Sequence, residues 1–569
     1  MRNITDRELK NASLSQLKSI CDELRTEIAE TVSHCGGHLS SNLGVVELTV
    51  ALHRVFAFPK DKIIFDVGHQ CYAHKLLSGR ADRFHTLRQR GGISGFPKRE
   101  ESEYDCYDTG HAGTAISAAL GFAKARDLQG DDHQVVAFVG DGSFNNGLIY
   151  EALNSLHILN TSVFILLNDN DMSISQTVGG IHDMLSDIKC GRGQEGKKLL
   201  ESFGLQYYGV YNGHDLQSLL PAMEEAKKQL KHGSVLFHVH TRKGCGLPFC
   251  ENSPMTTHGV SVSQTIKKTY AEALGEELSA LADRNPNIVA VTAAMTDSLG
   301  LRGFFQRFEN RAFDVGICEE HASILAASLA AGGMKPYYAI YSTFLQRAYD
   351  EVIHDICAQN LPVTFCIDHG GVSGSDGETH QGVFDLSYLS MIPNLTIAIP
   401  KNISEFRQMI RMSEKFNAPL AIRYPQVGTE GESTPVEFFK FEVLHSNMSN
   451  IIVFAEGERC LLLAEKVQKI CQSDSIDFTL VNVRFLKPLD KDYLKNVTQS
   501  VIITLEDNVL CGGLGDAIAR FYRGGDKKIF SFGFRDEFIP HGDVEGLMSE
   551  FGLNAEEIAE CIRSQYESR

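Results

Sequence analysis

The chain has 569 residues, of which 43% are hydrophobic and none is Trp, and its formal net charge is −18. This length suits about three to four domains, and the composition is too apolar for a disordered chain. The acidic balance, without a run of Lys and Arg, excludes proteins that bind nucleic acid or anionic membranes through clustered positive charge. No segment approaches the roughly 18 uninterrupted apolar residues of a membrane-spanning helix.

The N-terminal segment and the cysteines indicate the compartment. Residues 1–30 alternate charged and polar residues, and they lack both the apolar stretch of a secretory signal and the composition of a transit peptide. The 14 Cys are scattered without a C-x-x-C pair, which is typical of reduced, mostly buried thiols. We therefore predict a cytoplasmic enzyme that acts on small molecules and has neither nucleic-acid nor membrane partners.

In chain order, short apolar runs alternate with amphipathic stretches, a pattern typical of parallel α/β folds. Open α/β sheets bind ligands beyond the carboxyl ends of their strands, so residues that follow these runs are candidates for function. The segments predicted as buried strands are 134–140, 162–168, 234–240, 288–292, 363–368, 451–455, 478–483 and 501–505.

Two segments, 243–263 and 425–435, are rich in turn-forming residues and have no helical or strand periodicity. A long amphipathic pattern starts near Gln264, immediately after the first of them. The sequence therefore predicts three domains, at residues 1–263, 264–428 and 436–569.

The polar insert 187–198 is predicted to be an exposed loop with a solvated charge run. Within it, Gly191 to Lys197 fits the pattern G-x-x-x-x-G-K of a phosphate-binding loop. The next residue is Lys198, where such a loop needs Ser or Thr to bind magnesium, and no convincing strand precedes it. We therefore do not interpret the insert as a nucleotide site.

The strongest local signal is Gly140–Gly142 (GDG) after one predicted strand, followed by Asn168–Asn170 (NDN) after the next. A carboxylate and an amide oxygen at the ends of neighbouring strands can converge, and such hard ligands suit Mg²⁺ bound to phosphate. The glycines allow the backbone to approach a diphosphate closely. The paired motifs are similar to the diphosphate and metal motif of thiamine-diphosphate enzymes. Two ordinary strand-end turns are the alternative.

A second carboxylate, Glu319, lies in the segment 314–321 (DVGICEEH), just after a short apolar stretch. In thiamine-diphosphate enzymes a carboxylic acid must hydrogen-bond the aminopyrimidine ring so that the cofactor can be activated. A Glu at the start of a helix is also a common capping residue. By itself, Glu319 therefore leaves both interpretations open.

Six strings are distributed along the chain: 65–75 (FDVGHQCYAHK), 168–175 (NDNDMSIS), 339–350 (AIYSTFLQRAYD), 379–388 (THQGVFDLSY), 422–425 (IRYP) and 536–540 (DEFIP). They resemble the 1-deoxy-D-xylulose-5-phosphate synthase family, which is transketolase-like and uses thiamine diphosphate. The resemblance runs from about residue 11 to the C-terminus. Transketolases and the pyruvate dehydrogenase E1 components share the cofactor motif, but they are not expected to carry IYSTFLQRAYD (340–350).

The resemblance implies a fold and a reaction. The fold comprises three α/β domains with parallel or mixed sheets, of the transketolase type: two thiamine-diphosphate-binding folds and a C-terminal transketolase-like domain. The cofactor would lie between the first two domains, and the protein would be a homodimer. The enzyme would condense pyruvate, with loss of CO₂, and D-glyceraldehyde 3-phosphate to 1-deoxy-D-xylulose 5-phosphate, a precursor for isoprenoids and thiamine.

The resemblance also implies roles for individual residues. Mg²⁺ would be held by Asp141, Asn170 and the Met172 carbonyl. The residues that bind thiamine diphosphate would be His69, His111, Gly142, Ser143, Asn170, Lys243, Glu319 and Phe344. The catalytic residues would be Glu319, His38, His258 and His380. The residues that contact the substrates would be Tyr341, Arg347, His369, Asp376 and Arg423.

The sequence departs from the family pattern at four places. Most importantly, His369 follows Asp368 where the family has an Arg that binds the acceptor phosphate. Loss of such a charge-assisted contact would cost roughly 1.5–3 kcal/mol. The segment 110–115 lacks the usual serines, Glu320 replaces a Gln, and the connection 175–205 is short.

These departures leave two alternatives to the synthase. A divergent paralogue could use the same donor with a different aldehyde or sugar-phosphate acceptor, as His369 suggests. A catalytically silent, cofactor-binding regulator is the other, and the retention of Glu319 with both metal-ligand motifs argues against it.

Overall fold

The computed structural model describes residues 2–172, 177–260 and 269–567. The chain forms two compact units, Met1–Gln264 with Val315–Cys318, and Thr265–Asp314 with Glu319–Arg569. The predicted boundary between residues 263 and 264 and the end of the NDNDMSIS string lie outside the described residues. Within the described ranges, no helix is both long enough and apolar enough to cross a membrane.

The first unit contains one parallel sheet surrounded by helices. Its strands are β1 (Lys62–Phe65), β2 (Val135–Gly140), β3 (Phe164–Asp169), β4 (Gln206–Asn212) and β5 (Val235–His240). Its helices are α1 (Asp6–Asn11), α2 (Leu14–Cys35), α3 (Leu39–Leu43), α4 (Val46–Val55), α5 (Tyr72–Lys75), α6 (Ala115–Gln129), α7 (Asp141–Phe144), α8 (Gly147–Leu159), α9 (Gly180–Lys189), α10 (Gln194–Ser202), α11 (Leu216–Lys228) and α12 (Pro248–Asn252). Short 3₁₀ or π turns cover Leu76–Arg80, Ala81–Thr86 and Gln229–His232.

The strand order of this sheet is β1-β2-β3-β5-β4, and every pairing is parallel. Alternate residues of β2 enter two different cores: Val136 and Phe138 belong to one, and Ala137 and Val139 to the other. Because both faces are covered, the strands are continuous apolar runs rather than alternating ones. The parallel register, for example Gly140 beside Asn168, brings the GDG and NDN motifs to the same edge of the sheet.

The second unit contains two sheets. Its strands are β6 (Ile288–Thr292), β7 (Ala312–Asp314), β8 (Lys335–Tyr341), β9 (Thr364–Asp368), β10 (Thr396–Ala398), β11 (Leu420–Arg423), β12 (Glu442–His445), β13 (Ile451–Ala455), β14 (Thr479–Asn482), β15 (Phe485–Lys487), β16 (Val501–Val509) and β17 (Lys528–Phe534).

The helices of the second unit begin with α13, whose start is fixed by reciprocal contacts between Thr269 and Glu272. They are α13 (Tyr270–Arg284), α14 (Arg302–Arg307), α15 (Glu319–Ala331), α16 (Ser342–Leu345), α17 (Tyr349–Glu351), α18 (Asp385–Ser390), α19 (Ile403–Ser413), α20 (Gly457–Ser473), α21 (Lys491–Lys495), α22 (Leu514–Phe521), α23 (Val544–Phe551) and α24 (Ala555–Glu567). Short 3₁₀ or π turns cover Glu309–Arg311, Gln346–Ala348 and Val352–Cys357.

One sheet of this unit has the order β15-β10-β11-β9-β8-β6-β7, and the other has the order β12-β14-β13-β16-β17. Both are mixed, because β15 pairs antiparallel with β10 and β12 pairs antiparallel with β14, whereas the other pairings are parallel. The predicted α/β fold with parallel and mixed sheets is therefore confirmed. Each strand predicted from the sequence is present, and β16 extends beyond its predicted end to Val509.

The segment 187–198 is mostly exposed, as predicted, but the prediction that it is a loop is wrong. The segment comprises the end of α9, a tight turn at Gly193 and the start of α10. A Cβ at residue 193 would overlap the backbone of Ile188, so the two helices can approach closely only with glycine there. Ile188 and Leu200 are buried, which gives each short helix an apolar side to pack.

Candidate functional site

The predicted metal ligands Asp141, Asn170 and Met172 lie together in the first unit, and we refer to them as the oxygen cluster. Asp141 begins α7 directly after β2 and is 2% exposed. Its carboxylate accepts hydrogen bonds from the Asn170 backbone N–H (3.4 Å) and from Thr177 Oγ1 (3.0 Å). The Met172 N–H donates to Asn170 Oδ1 at 3.2 Å. The turn after β3 therefore folds back onto the carboxylate that follows β2.

The oxygen cluster fits a hard divalent cation. Burial, together with the negative charge of Asp169, raises the pKa of Asp141 to about 7. A bound cation would supply the positive charge that stabilises the ionised carboxylate. Lys243 is also buried, and the loss of solvation lowers its pKa to about 8. In the described part of the chain, no group of three or more His, Cys, Asp and Glu side chains is arranged to hold a metal. One carboxylate, one amide and one carbonyl are a donor set that suits Mg²⁺.

The residues on both sides of Asn170 are fixed by ion pairs that the sequence did not reveal. Lys189, at the end of α9, contacts Asp169 Oδ1 at 2.8 Å and also pairs with Asp171. The other carboxylate oxygen of Asp169 lies 3.0 Å from His238 Nε2. These contacts lower the pKa of Asp169 despite its burial. Lys189 was missed because it lies in the segment that was interpreted as an exposed loop.

Three of the predicted site histidines, His38, His69 and His258, form a compact group that we call the histidine trio. Their ring centroids are separated by 5.4 Å (His38–His69), 5.4 Å (His38–His258) and 5.5 Å (His69–His258). The loss of solvation lowers the pKa of His258 well below its usual value, and Lys243 lowers it further. A neutral imidazole of this kind can either accept or donate a proton.

The short helix α3 connects the members of the histidine trio. The side-chain amide of Asn42 donates to the backbone carbonyls of His38 (2.6 Å) and His69 (2.7 Å), and its Oδ1 accepts from the Tyr72 N–H (2.8 Å). Ser41 Oγ lies 3.2 Å from His258 Nδ1. Asn42 is fully buried and was not selected from the sequence, because a lone Asn gives no signal that its side chain joins two distant segments.

The remaining predicted residues of the first unit lie in two turns. Gly142 and Ser143 are buried in the single turn α7, next to Asp141. His111 is half-buried in the segment before α6. Asp66 anchors that segment by accepting from the backbone N–H groups of Gly113 (2.8 Å) and Ala115 (3.0 Å).

In the second unit, Glu319 begins α15 and is only 3% exposed. Its Oε2 is buried and has no hydrogen-bond partner among the described residues. Burial raises the pKa of the carboxyl to about 7, and the charge of Arg347 partly offsets this effect. A buried carboxyl with an unpaired oxygen can hydrogen-bond to a ring nitrogen of a ligand, and the aminopyrimidine of thiamine diphosphate would supply such a nitrogen.

Four predicted residues of the second unit form a contiguous aromatic row. The His369 ring stacks on Tyr341 with centroids 3.7 Å apart, and Tyr341 stacks on Phe344 at 5.5 Å. The Phe344 ring meets His380 edge-on at 5.7 Å. The structure therefore brings together residues from β8, α16 and the long loop that follows β9.

His369 has little freedom within this row. Its backbone lies in the left-handed region, with φ of 57°. Its N–H donates to Asp368 Oδ1 at 2.6 Å, and its Nδ1 lies 2.8 Å from the same oxygen. The imidazole is thus held between the Asp368 carboxylate and the face of the Tyr341 ring, and the side chain is 16% exposed.

Arg423, at the end of β11, is buried and heavily used within the unit. Its Nε contacts Asp385 Oδ2 at 3.2 Å, and its Nη2 donates to the carbonyls of Gly382 (3.1 Å) and Asp507 (2.8 Å). The contact between Arg423 and the aldehyde acceptor remains a prediction. The Nε and Nη2 of Arg423 already form hydrogen bonds within the protein. Asp376 and His380 lie on the loop after β9, and Thr379 Oγ1 lies 2.8 Å from His380 Nδ1.

Comparison with family models first defines the class of protein. Residues 266–429 match the pyrimidine binding domain of transketolase, and residues 440–558 match the transketolase C-terminal domain. Together with the α/β sheets, these matches define a transketolase-type architecture. Residues 2–198 and 192–241 match the model described as 1-deoxy-D-xylulose-5-phosphate synthase.

Full-length relatives then specify the family. A 1-deoxy-D-xylulose-5-phosphate synthase from Clostridium tetani is 43% identical over 97% of this chain and 97% of its own length. The proteins of that name from Clostridium perfringens strain SM101 and Dictyoglomus turgidum are 41% and 44% identical, over 99% of this chain and 99% and 98% of their own lengths. The chain belongs to the 1-deoxy-D-xylulose-5-phosphate synthase family.

Proposed function

We propose that the chain is a thiamine-diphosphate- and Mg²⁺-dependent transferase. It condenses pyruvate, with loss of CO₂, and D-glyceraldehyde 3-phosphate to 1-deoxy-D-xylulose 5-phosphate, a precursor for isoprenoids and thiamine. The observation that carries this proposal is Glu319, a buried carboxyl with an unused oxygen and a pKa raised to about 7. The names of the full-length relatives support it.

When bound, thiamine diphosphate supplies the carbanion chemistry of the reaction, and the protein supplies position and electrostatics. Glu319 holds a proton at the aminopyrimidine, beside Phe344. The oxygen cluster of Asp141, Asn170 and the Met172 carbonyl holds Mg²⁺. The residues proposed to bind the diphosphate are His69, His111, Gly142, Ser143 and Lys243.

We assign proton transfer to His38, His258 and His380. Within the trio, the loss of solvation lowers the pKa of His258, so its neutral ring can accept or donate a hydrogen bond at a substrate hydroxyl. At the acceptor end we assign binding to Tyr341, Arg347, His369, Asp376 and Arg423.

The organisation of the protein is part of the proposal. The domains span residues 1–263, 264–428 and 436–569, the protein is a homodimer, and it is cytoplasmic. The three separate family-model matches support the domain division.

A second candidate keeps the pyruvate donor and uses another aldehyde or sugar-phosphate acceptor. It is favoured by the geometry of His369, which is held by Asp368 and Tyr341 where the family pattern has an Arg. It is also favoured by Arg423, because its Nε and Nη2 are engaged within the protein.

The experiment measures CO₂ release from pyruvate by the purified chain with thiamine diphosphate, Mg²⁺ and a panel of aldehydes. We expect D-glyceraldehyde 3-phosphate to give the highest kcat/KM, with 1-deoxy-D-xylulose 5-phosphate as the product. A higher kcat/KM with another aldehyde would establish the second candidate. No turnover with any aldehyde would contradict both.

A further inference from the structure

The long loop after β9, residues 369–382, carries three of the residues assigned to the acceptor end: His369, Asp376 and His380. Its two ends are joined by backbone hydrogen bonds between Gly371 and Gly382, at 2.7 and 2.8 Å. The segment between them is therefore a closed loop whose shape must be fixed by other contacts.

Gln381 fixes the loop from within. It is 1% exposed, and its Oε1 accepts from the N–H groups of Ser373 (2.7 Å) and Gly374 (3.1 Å). Its Nε2 donates to the carbonyls of Gly374 (3.1 Å) and Pro540 (3.0 Å). Pro540 belongs to the segment that follows β17, so one of these bonds ties the loop to the C-terminal part of the chain.

A stronger attachment comes from Asp507 on β16. Its Oδ1 accepts from the Val372 N–H at 3.1 Å, and its Oδ2 lies 3.0 Å from Arg459 Nη1. The same Arg459 nitrogen donates to the Val372 carbonyl at 2.7 Å. The backbone carbonyl of Asp507 accepts from Arg423 Nη2. Asp507 therefore contacts both the base of the loop and Arg423, which is assigned to acceptor binding.

The approach of Asp507 to the loop is close enough to restrict the sequence. Gly371 has φ of 80°, and a Cβ there would overlap the Asp507 carboxylate. A residue with a side chain would therefore be both strained and displaced at this position. The contact is built into the backbone of the loop.

We propose that Asp507, with Arg459, is a positioning residue for the aldehyde acceptor. This role rests on the proposed function. It gives the C-terminal sheet a part in catalysis, although no predicted site residue lies in that sheet. Asp507 acts through the loop, by setting where His369, Asp376 and His380 stand. Misplacement of such groups by about 1 Å can reduce turnover by about 100-fold.

The test compares Asp507→Asn with wild type in the full-length protein loaded with thiamine diphosphate and Mg²⁺. The substitution keeps the size of the side chain but places an N–H₂ against the Arg459 guanidinium. We expect the KM for D-glyceraldehyde 3-phosphate to rise about tenfold, because the displaced loop residues would lose about one charged hydrogen bond to the acceptor, while the KM for pyruvate stays within about twofold. Equal changes in both KM values, or no change in either, would contradict the proposal.

Two further variants cover the case in which Asp507→Asn does not fold. Arg459→Met removes the cation and should reproduce the selective rise in the KM for D-glyceraldehyde 3-phosphate. Arg459→Lys keeps the charge, so its KM for this substrate should stay close to that of wild type. The matched control is Asp477→Asn, next to the same sheet, which loses a similar set of bonds to His445, Asn447 and Gln468. We expect that control to leave both KM values unchanged.

A measurement independent of activity separates this proposal from the proposed function. Amide hydrogen exchange of Val372, Ser373 and Gly374 should accelerate in Asp507→Asn but not in Asp477→Asn. If the wild-type chain turned over no substrate, the proposed function would fail, and unchanged exchange in Asp507→Asn would separately refute the positioning role.

Discussion

The two units build their parts of the site differently. In the first, Asp141, Asn170 and Lys243 follow β2, β3 and β5 of one parallel sheet, so the fold itself brings them to a common edge. In the second, the 369–382 loop carries much of the acceptor end and is held by the Asp507 side chain of another sheet and by the Pro540 carbonyl. The comparison shows that the first arrangement follows from strand order, whereas the second depends on contacts between residues far apart in sequence.

The largest expected effect tests the acid of the second unit. Glu319→Gln removes the proton that this carboxyl shares with the cofactor, so we expect kcat to fall by about 10²–10⁴-fold. Metal-dependent binding of thiamine diphosphate, measured by calorimetry, should remain detectable. Glu320→Gln is the matched control, and it should retain activity. Full activity in Glu319→Gln would refute the role assigned to this residue.

The next effect tests the departure at the acceptor end. His369→Arg restores a permanent forked cation where the chain has an imidazole. If D-glyceraldehyde 3-phosphate is the acceptor, its KM should fall by about ten- to a hundredfold, in line with roughly 1.5–3 kcal/mol for a charged hydrogen bond. Unphosphorylated D-glyceraldehyde is the control substrate, and its KM should not improve. An equal gain for both aldehydes would exclude a phosphate contact at residue 369.

A smaller effect is expected in the first unit, where Lys189 acts on the oxygen cluster through its neighbours. Lys189→Met should weaken Mg²⁺ binding by about tenfold, because groups that orient metal ligands typically contribute about that much. The measurement is a Mg²⁺ titration of cofactor binding, followed by calorimetry. Lys198→Met is the control, since Lys198 is exposed and pairs with exposed Glu195. Equal affinities in both variants would show that α9 does not support the metal ligands.

The last effect is on the stability of the protein and its dependence on pH, not on activity or binding. The folded-state pKa of Glu319 is raised to about 7 from 4.5, so the folded chain binds this proton more tightly than the unfolded chain does. Stability from this group is therefore present below about pH 4.5 and is lost as pH rises to about 7, by roughly 3 kcal/mol. In the absence of cofactor, the melting temperature of Glu319→Gln relative to wild type should increase between pH 5 and 8. A constant difference across that range would contradict the raised pKa.

The sequence predicts many of the strands that are buried on both faces. Central strands such as β2, β3 and β13 are continuous apolar runs, and these were identified. The edge strands β4 and β17 were missed, because they are half-exposed and carry polar residues. The central, buried strands β8 and β11 were also missed: β8 begins with Lys and Pro, and β11 has only four residues and ends in Arg. The helices α9 and α10 were missed for a similar reason, since their polar faces dominate the short segment.

The sequence predicts the residues of the candidate site better than it predicts the residues that support them. The family resemblance points to Asp141, Glu319 and the histidines, and the structure gathers many of them into compact groups. The supporting residues Asn42, Lys189 and Asp507 were not found, because each acts through side-chain contacts with residues distant in sequence. No local pattern marks such a role.

The pairing of β15 with β10 has a practical consequence for dissecting the protein. A fragment ending at Pro435 would lack Phe485–Lys487 and would expose the hydrogen-bonding edge of Thr396–Ala398. Uncovered edges of this kind recruit other strands and promote aggregation. The family-model boundaries near residue 430 are therefore poor places to cut, and the residues from Thr265 onward should be expressed together.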